Sequence, residues 1–270
     1  MNGELHHLML LASFGNLYLL KNILEEPKHY KDNSHYLIKF IPEYKDKKHL
    51  FSLFSKSLKE YDTLSWMHDL RERKCKGIFI FNSDRSKDER ITSAFVGGGR
   101  RWGLICQFDN FNELWIANWE LEEKPPNTRW EISYNKLDFR ENIKLKKRQS
   151  DLLDLSNQLR SALVNLSQLA HEIQEDFWRE SFFDKGIQIL DGIIIAEDQL
   201  SSIYSVEAQR IINTVYSSWV FGGMGSWNDS PPYSAQQHGK ETEYNDFSNA
   251  LYETMMDCIE GATNSVVSQR

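Results

Sequence analysis

The sequence has few cysteines and no apolar run long enough to span a bilayer. Its three cysteines, Cys75, Cys106 and Cys258, are odd in number and show no Cys-x-x-Cys spacing, which argues against a disulfide framework or a zinc site. We interpret all three as reduced residues. The N-terminal apolar run from His7 to Phe14 is too short for a transmembrane helix and has no basic flank. These absences lead us to expect a cytoplasmic protein without a membrane anchor.

Motifs that commit a chain to one reaction are also missing. The segment Gly97-Gly98-Gly99-Arg100-Arg101 could hold an anion, but no P-loop or dinucleotide-binding pattern surrounds it, and its strand-like flanks favour a flexible hairpin tip. His171 has no second histidine four residues later, so the zinc-protease pattern is absent. Cys258 has no local histidine to act as a base. The sequence therefore favours a non-enzymatic protein, with no catalytic residue, cofactor or metal site assigned.

The charge is divided unevenly between the two halves of the chain. The 270 residues carry a net charge of −7, with 40% hydrophobic and 13% aromatic residues, a composition typical of a globular protein. Residues 1–150 hold 26 Lys and Arg against 21 Asp and Glu, or +5, whereas residues 151–270 hold 6 against 18, or −12. An acidic half disfavours nucleic-acid binding by that half. It indicates either a solvated helical surface or a basic protein partner.

The N-terminal half is predicted to be rich in strands. We expect strands between His6 and Leu20, turning at Gly15-Asn16, and from His35 to Tyr44. Lys47 to Arg73 has helical periodicity, interrupted near Asp62 or Ser65, either of which could cap a second short helix. Alternation with a period of two then predicts an antiparallel meander, with strands at Gly77–Phe81, Arg90–Val96, Trp102–Phe108, Glu113–Glu122 and Arg129–Asn135.

The C-terminal half is predicted to be a helical bundle, which makes the chain an α+β protein. Leucines recur at three- and four-residue steps from Leu152 to Leu169, ending at Ile173, and predict a long helix near 151–180 with a narrow apolar seam. Further helices are expected near 205–221 and 243–263, with a mobile polar loop at 226–242. Ile187 to Ile195 could be a strand or a buried helix. A charged connector at 137–149 separates the predicted domains, 1–143 and 144–270.

Carboxylates on the long helix form one candidate binding site. Glu172, Asp176 and Glu180 are spaced by four residues, so a continuous helix would place them on one face beside His171. That face could contact a basic partner, gather a divalent metal or simply be solvated. Three further carboxylates flank the isoleucine run, but nothing in the sequence places them near His171: Asp191, Glu197 and Asp198.

The segment from Trp219 to Asp229 forms a second candidate site. Its three glycines lie among large aromatic residues, which indicates a tight backbone path packed under rings. Trp227, Asn228 and Asp229 then follow at the predicted helix end. The segment is either a helix terminus anchored by tryptophans or a partner-binding site.

The block from Trp219 to Leu251 resembles the C-terminal portion of bacterial immunity proteins that accompany polymorphic or contact-dependent toxins. The resemblance covers about the last fifth of the chain and transfers no individual functional residue. It implies a cytoplasmic, non-enzymatic protein that neutralises a cognate toxin by occluding a basic active site, with no nucleic-acid or membrane partner. Two alternatives remain open: a metal-dependent hydrolase using the helix carboxylates, and a regulatory or structural subunit of a bacterial defence assembly. In the latter, the leucine seam at 152–173 would pair with another chain, including a second copy in a homodimer.

Overall fold

The chain forms an α+β protein with its strands in the N-terminal half and a helical C-terminal half, as predicted. The structure, a computed structural model, describes residues 3–25, 36–42, 60–82, 89–93, 98–99, 101–124, 127–137, 151–196 and 200–268. Its residues divide into two compact units. The sheet unit comprises Leu8–Phe81 and Trp102–Lys146, and the helical unit comprises Met1–His7, Asn82–Arg101 and Lys147–Arg270. Both units are therefore discontinuous in sequence. The charged connector had instead indicated two continuous domains that meet near residue 143. Most of that connector lies outside the described residues.

The sheet unit is built on a five-stranded mixed sheet in the order β1-β5-β4-β3-β2. The β3–β4 and β4–β5 pairs are antiparallel, as the alternation predicted, but β1 runs parallel to β5. No hairpin joins β1 to β5, so the local pattern of the sequence gave no information on its direction. The strands are β1 (Tyr36–Ile41), β2 (Gly77–Asn82), β3 (Trp102–Gln107), β4 (Asn112–Lys124) and β5 (Asn127–Leu137).

The strands expected between His6 and Leu20 are instead one helix, α1 (Gly3–Lys21). Its residues from Leu8 to Ala12 are all buried, so the helix lacks the polar face from which a period of 3.6 is recognised. Asn16, expected in a turn, is fully buried and hydrogen-bonds the β2 backbone twice, donating to the Ile78 oxygen at 2.7 Å and accepting from the Ile78 nitrogen at 2.8 Å. A Cβ on Gly15 would lie 2.5 Å from Ile78 Cδ1, so glycine permits this close approach of helix and strand.

Four large aromatic side chains form the centre of the sheet unit. Phe40 stacks on Trp66 with ring centroids 4.1 Å apart and on Tyr134 at 4.9 Å, and Trp115 closes the cluster edge-on. Trp66 lies on α2 (Thr63–Glu72), the short helix that the sequence predicted, and Asp62 is its cap because its carboxylate accepts from the Ser65 nitrogen at 2.7 Å. The rest of the helix predicted from Lys47 lies largely outside the described residues.

The helical unit is organised around its two longest helices, α4 (Leu152–Glu172) and α9 (Glu241–Ser268), which pack together. Asp151 caps α4 by accepting from the Leu153 nitrogen at 3.0 Å. The predicted seam is confirmed as a buried face, since Leu155, Leu159, Leu166, Leu169 and Ile173 are at most 3% exposed. The other helices of the unit are α3 (Glu89–Thr92), α5 (Asp176–Trp178), a π-helical turn (Arg179–Asp184), α6 (Lys185–Leu190), α7 (Val206–Ser217) and α8 (Pro231–Gln237).

Three expectations for the helical unit need correction. Arg90, predicted to begin a strand, lies in the short helix α3. The polar segment 226–242 is not a loop throughout, because Pro231 begins α8, where its missing N–H needs no partner. Ile187 to Ile195 starts as helix α6 and then leaves Ile193 and Ile195 exposed. Among the described residues, no helix combines the length and apolar character needed to cross a membrane.

Candidate protein-binding surface

The long helix predicted near 151–180 breaks where the candidate carboxylates lie. Helix α4 ends at Glu172, and Gln174 takes a left-handed conformation with φ of 61°. The Glu175 nitrogen donates to the Ala170 oxygen at 2.7 Å, which closes the helix end and redirects the chain into α5. The π-helical turn at Arg179–Asp184 changes the residue spacing again. Glu172, Asp176 and Glu180 therefore do not follow one continuous helix face, although all three side chains are solvent-exposed.

Lys240 fixes the position of Glu172 at the start of this surface. Its Nζ lies 2.9 Å from Glu172 Oε2 and 3.4 Å from Glu243 Oε1. The hydrogen bond from Lys240 is the largest cause of the lowered pKa of the Glu172 carboxyl, and a hydrogen bond from Gln168 adds to it. Glu172 is consequently held as a carboxylate between two donors, in a defined orientation.

Arg179 performs the same role for the carboxylates of the π-helical turn. Its guanidinium lies 3.2 Å from Asp176, 3.0 Å from Glu180 and 4.0 Å from Asp184. The hydrogen bond to Glu180 is the largest cause of the raised pKa of Arg179. One cation therefore orders three carboxylates around itself but compensates only one of their charges.

Two exposed aromatic side chains lie among these carboxylates. Phe177, on α5, and Tyr233, on α8, are each 64% exposed. A hydrogen bond of 2.7 Å from Ser234 Oγ to Glu175 Oε1 joins the two segments, so each ring lies within two residues of this bonded pair. Exposed aromatic rings beside charged groups are typical of the centres of protein–protein interfaces.

A chain of ring contacts supports Phe177 from below. Phe177 contacts Trp178 edge-on at 5.5 Å between centroids, Trp178 contacts Trp227 at 5.9 Å, and Trp227 contacts Tyr244 at 5.5 Å. Trp178 is 9% exposed and Trp227 is fully buried. An exposed ring that rests on buried rings loses little conformational freedom on binding, because its position is already fixed.

Of the residues predicted from the 219–229 block, Trp227 is buried, Asn228 is half-buried and Asp229 is exposed, and all three make contacts that hold the segment together. Trp227 is fully buried and its indole nitrogen donates to Ser248 Oγ at 2.8 Å, so its side chain is not accessible to a partner. Asp229 accepts from the Gly225 nitrogen at 2.8 Å, and Gly225 has a φ of 73°, which closes the tight turn. The block is thus a helix terminus anchored by tryptophan, which was the other interpretation of its sequence.

Asn228 belongs to a group of amides around one buried cation. Arg90, 7% exposed, donates to Asn228 Oδ1, to Asn249 Oδ1 at 2.8 Å and to Asn245 Oδ1 at 3.4 Å. Its guanidinium also lies over the Tyr244 ring, 5.6 Å from the centroid. These bonds tie α3 to the connection between α7 and α8 and to α9, and so fix the support on which Trp227 rests.

We define the acidic–aromatic surface as a set of exposed and partly exposed side chains with more acidic than basic groups. It contains six carboxylates and two cations, which leaves it acidic. The sequence singled out three of its carboxylates but not its rings, and Tyr233 fell in the loop predicted at 226–242. The members are Glu172, Glu175, Asp176, Phe177, Arg179, Glu180, Asp184, Tyr233, Lys240 and Glu243.

The other candidate sites gain little from the structure. Within the described ranges, no group of three or more His, Cys, Asp or Glu side chains could hold a metal ion, so the hydrolase alternative has no ligand set there. In the glycine segment, the Gly99 nitrogen is taken by Thr92 Oγ1 at 3.1 Å, and Gly97 and Arg100 lie outside the described residues. Cys258 is buried, and burial strongly raises the pKa of its thiol. Asp191 pairs with Arg160 at 3.0 Å, whereas Glu197 and Asp198 are not described.

Comparison of the chain with protein-family models, with curated proteins and with solved structures found no match. The resemblance to immunity proteins therefore has no support from these comparisons and stays a hypothesis.

Proposed function

We propose that this protein is a non-enzymatic binding protein that engages a basic protein partner through the acidic–aromatic surface. The observation that carries the proposal is Phe177, a large apolar ring that is 64% exposed, supported by buried rings and surrounded by carboxylates. A soluble domain gains nothing in its own stability from such a ring, whereas a partner that covers it gains apolar contact at a fixed position.

The two kinds of side chain supply different parts of the binding free energy. The carboxylates attract a basic partner over distances of about 10 Å and raise its association rate. The rings of Phe177 and Tyr233 become buried only when the partner has docked, and so slow its dissociation. Arg179 and Lys240 keep the carboxylates ordered before the partner arrives, which lowers the entropy lost on binding.

The partner class that fits the acidic surface, together with the resemblance of the C-terminal block, is a bacterial toxin with a basic active site. A toxin that cleaves nucleic acid must present cationic groups to phosphates. A surface with six carboxylates around an aromatic centre can cover such a cleft without any chemical step, so the mechanism is steric and electrostatic occlusion. This is the immunity function that the sequence led us to expect.

The alternative of a subunit that pairs with another chain through the leucine seam requires an exposed apolar strip on α4. Leu152 at the start of the seam is partly exposed, but the seam leucines from Leu155 to Leu169 are at most 3% exposed within this chain and leave little apolar surface for a second chain or a homodimer partner. Leu153, on the same helix, is 65% exposed but lies outside the seam.

Binding kinetics with the product of the neighbouring gene test the proposal. Phe177→Ala should leave the melting temperature unchanged and accelerate dissociation roughly 30-fold, the effect of losing about 2 kcal/mol at a hot spot. Leu153→Ala is the matched control, because Leu153 is equally exposed at 65% but lies outside the acidic–aromatic surface, and it should leave both rates unchanged. Equal effects of the two variants, or no binding at all, would contradict the proposal.

A further inference from the structure

Two of the three thiols lie together near one edge of the sheet. Cys75 immediately precedes β2, the edge strand, and Cys106 lies on β3, its neighbour in the sheet. The Lys76 nitrogen donates to the Gln107 oxygen at 2.7 Å, which brings the residues next to the two cysteines into register. The Cys75 thiol donates to the Gly77 oxygen at 3.4 Å, on the strand that neighbours Cys106. Cys258, by contrast, lies in the helical unit and donates to the Leu155 oxygen at 3.6 Å.

Charged groups surround this thiol pair. Glu113 is directly opposite Cys106 in the β3–β4 register, and Arg73 binds its carboxylate with both terminal nitrogens, at 2.7 and 3.0 Å. Arg73 also lies over the Phe108 ring, 4.8 Å from the centroid. The guanidinium is thereby fixed two residues before Cys75, where its charge favours a thiolate.

The two thiols are not equivalent. The pKa of the Cys75 thiol is lowered, chiefly by the hydrogen bond with Cys106 and further by the charge of Arg73. Burial raises the pKa of the Cys106 thiol well above its ordinary value. Cys75 is 8% exposed and Cys106 is not exposed at all, so of the two residues only Cys75 has any contact with solvent. A nucleophilic thiol beside a second, protected thiol is the arrangement found at reversible oxidation sites.

We propose that Cys75 and Cys106 form a reversible oxidation site for small peroxides, in which Cys75 is the attacking thiol and Cys106 the resolving one. The Cys75 thiolate attacks one peroxide oxygen, the O–O bond breaks, and the departing hydroxide takes a proton to become water. Cys106 then attacks the sulfenic acid of Cys75, the S–S bond forms, and the hydroxide released from sulfur leaves as water with the proton of Cys106. Two thiols are oxidised and hydrogen peroxide is reduced to two waters.

The position of the bond gives the oxidation a structural effect. A Cys75–Cys106 disulfide joins the entry of β2 to β3, so it ties the edge strand to its neighbour. It also closes a loop that contains residues 82–101, the segment that leaves the sheet unit and belongs to the helical unit. Closing a loop of this size restricts the unfolded chain, so oxidation should stabilise the protein.

Peroxide treatment of the full-length protein, followed by alkylation under denaturing conditions and peptide mapping by mass spectrometry, tests the site. We expect a Cys75–Cys106 linked peptide, an alkylated Cys258, and a melting temperature that rises by several degrees and returns on addition of dithiothreitol. Cys258→Ser should form the same linked peptide at the same rate.

Two variants distinguish the roles of the thiols. In Cys106→Ser the sulfenic acid of Cys75 should persist and be trapped by dimedone, whereas in Cys75→Ser peroxide should convert neither remaining cysteine to a sulfenic acid that dimedone traps. Circular dichroism would establish that both variants are folded. The linked peptide is measured in the wild-type protein, so this result does not depend on the folding of either variant. Failure of the folded wild type to form that peptide, or oxidation of Cys258 at the same rate, would overturn the proposal.

Discussion

Arg90 and Asn228 hydrogen-bond each other in both directions. The Arg90 guanidinium donates to the Oδ1 of Asn228, and the Nδ2 of Asn228 donates to the backbone oxygen of Arg90 at 3.4 Å. Asn245 and Asn249 complete the set of acceptors. Arg90 is 7% exposed and its guanidinium donates to three neutral amide oxygens, so its contribution to stability depends on these acceptors being in place.

Replacing Arg90 should therefore be destabilising. Arg90→Met removes the buried donors and leaves the half-buried oxygen of Asn228 and the exposed oxygens of Asn245 and Asn249 without this partner, which we expect to lower the free energy of unfolding by about 1–2 kcal/mol. Arg160→Met is the control, because Arg160 makes an exposed ion pair with Asp191 and its loss should have a much smaller effect. Urea denaturation of the full chain measures both. A comparable loss of unfolding free energy in the two variants would show that the hydrogen bonds from Arg90 to the three asparagines contribute little to stability.

Asn16 provides a second stability test. Asn16→Ala removes two hydrogen bonds and leaves the nitrogen and oxygen of Ile78 without these partners beside a buried helix, which should cost about 2 kcal/mol. Ser13→Ala on the same buried helix removes only a bond from Ser13 Oγ to the Leu10 oxygen and should cost less than about 1 kcal/mol. Hydrogen exchange of the β2 amides would locate the effect, and unchanged protection in Asn16→Ala would contradict it.

Glu4 should make the stability depend on pH near neutrality. Burial raises its pKa to about 7, against the opposing charge of Arg101. A carboxyl with a raised folded-state pKa stabilises fully below its unfolded value of 4.5 and loses that contribution as pH rises through about 7. Glu4→Gln removes this dependence, so wild type should lose about 1 kcal/mol relative to the variant between roughly pH 6.5 and pH 8.5.

The pH range for the Glu4 experiment is set by His7. Burial lowers the pKa of His7 to about 3, so its contribution is complete above its unfolded value of 6.5 and is lost only on acidification. Above that value the contribution of His7 no longer varies with pH and does not obscure that of Glu4. Glu241→Gln, in the exposed first turn of α9, is the control and should run parallel to wild type in thermal melts across the range. A wild-type curve that also runs parallel to Glu4→Gln would rule out the raised pKa.

Charge on the acidic–aromatic surface should control association. Replacing Glu172, Asp176 and Glu180 by their amides leaves three carboxylates against two cations, so the attraction of a basic partner falls. We expect slower association at low salt, by roughly tenfold, a smaller difference at high salt, and little change in dissociation. Asp154→Asn with Glu207→Gln neutralises two exposed carboxylates outside the surface and is the control. Association that does not depend on salt would be incompatible with electrostatic steering.

The elements that the sequence predicted well have a repeating pattern on one face. The leucine seam of α4 and the alternation around Ile132 and Tyr134 in β5 arise because one face is buried while the other is more exposed. Helix α1 was mistaken for strands because it is apolar on all sides, and periodicity needs a polar face for contrast.

The candidate site was predicted only in part, for reasons that local patterns cannot overcome. Four-residue spacing identified Glu172, Asp176 and Glu180, but not the left-handed Gln174 that interrupts their helix. Trp227 and Phe177 are both aromatic residues near polar ones, and which of them is buried depends on Tyr244 and Trp178, contributed by α9 and α5. Tertiary contacts between segments far apart in sequence decide such questions.

The discontinuity of the helical unit has a consequence for synthesis of the chain on the ribosome. Arg90 is translated 138 residues before Asn228 and 159 before Asn249, so its guanidinium stays in water while the sheet strands and α4 are made. Closing contacts of such high sequence separation is slow, because the intervening chain must be ordered first. The sheet unit, whose last strand ends at Leu137, can collapse well before that, and then holds the segment at 82–101 by both ends. When the later helices are synthesised, the segment that carries Arg90 is therefore already restrained at both ends. Its contacts with Asn228 and Asn249 then cost less chain entropy than they would in a free chain.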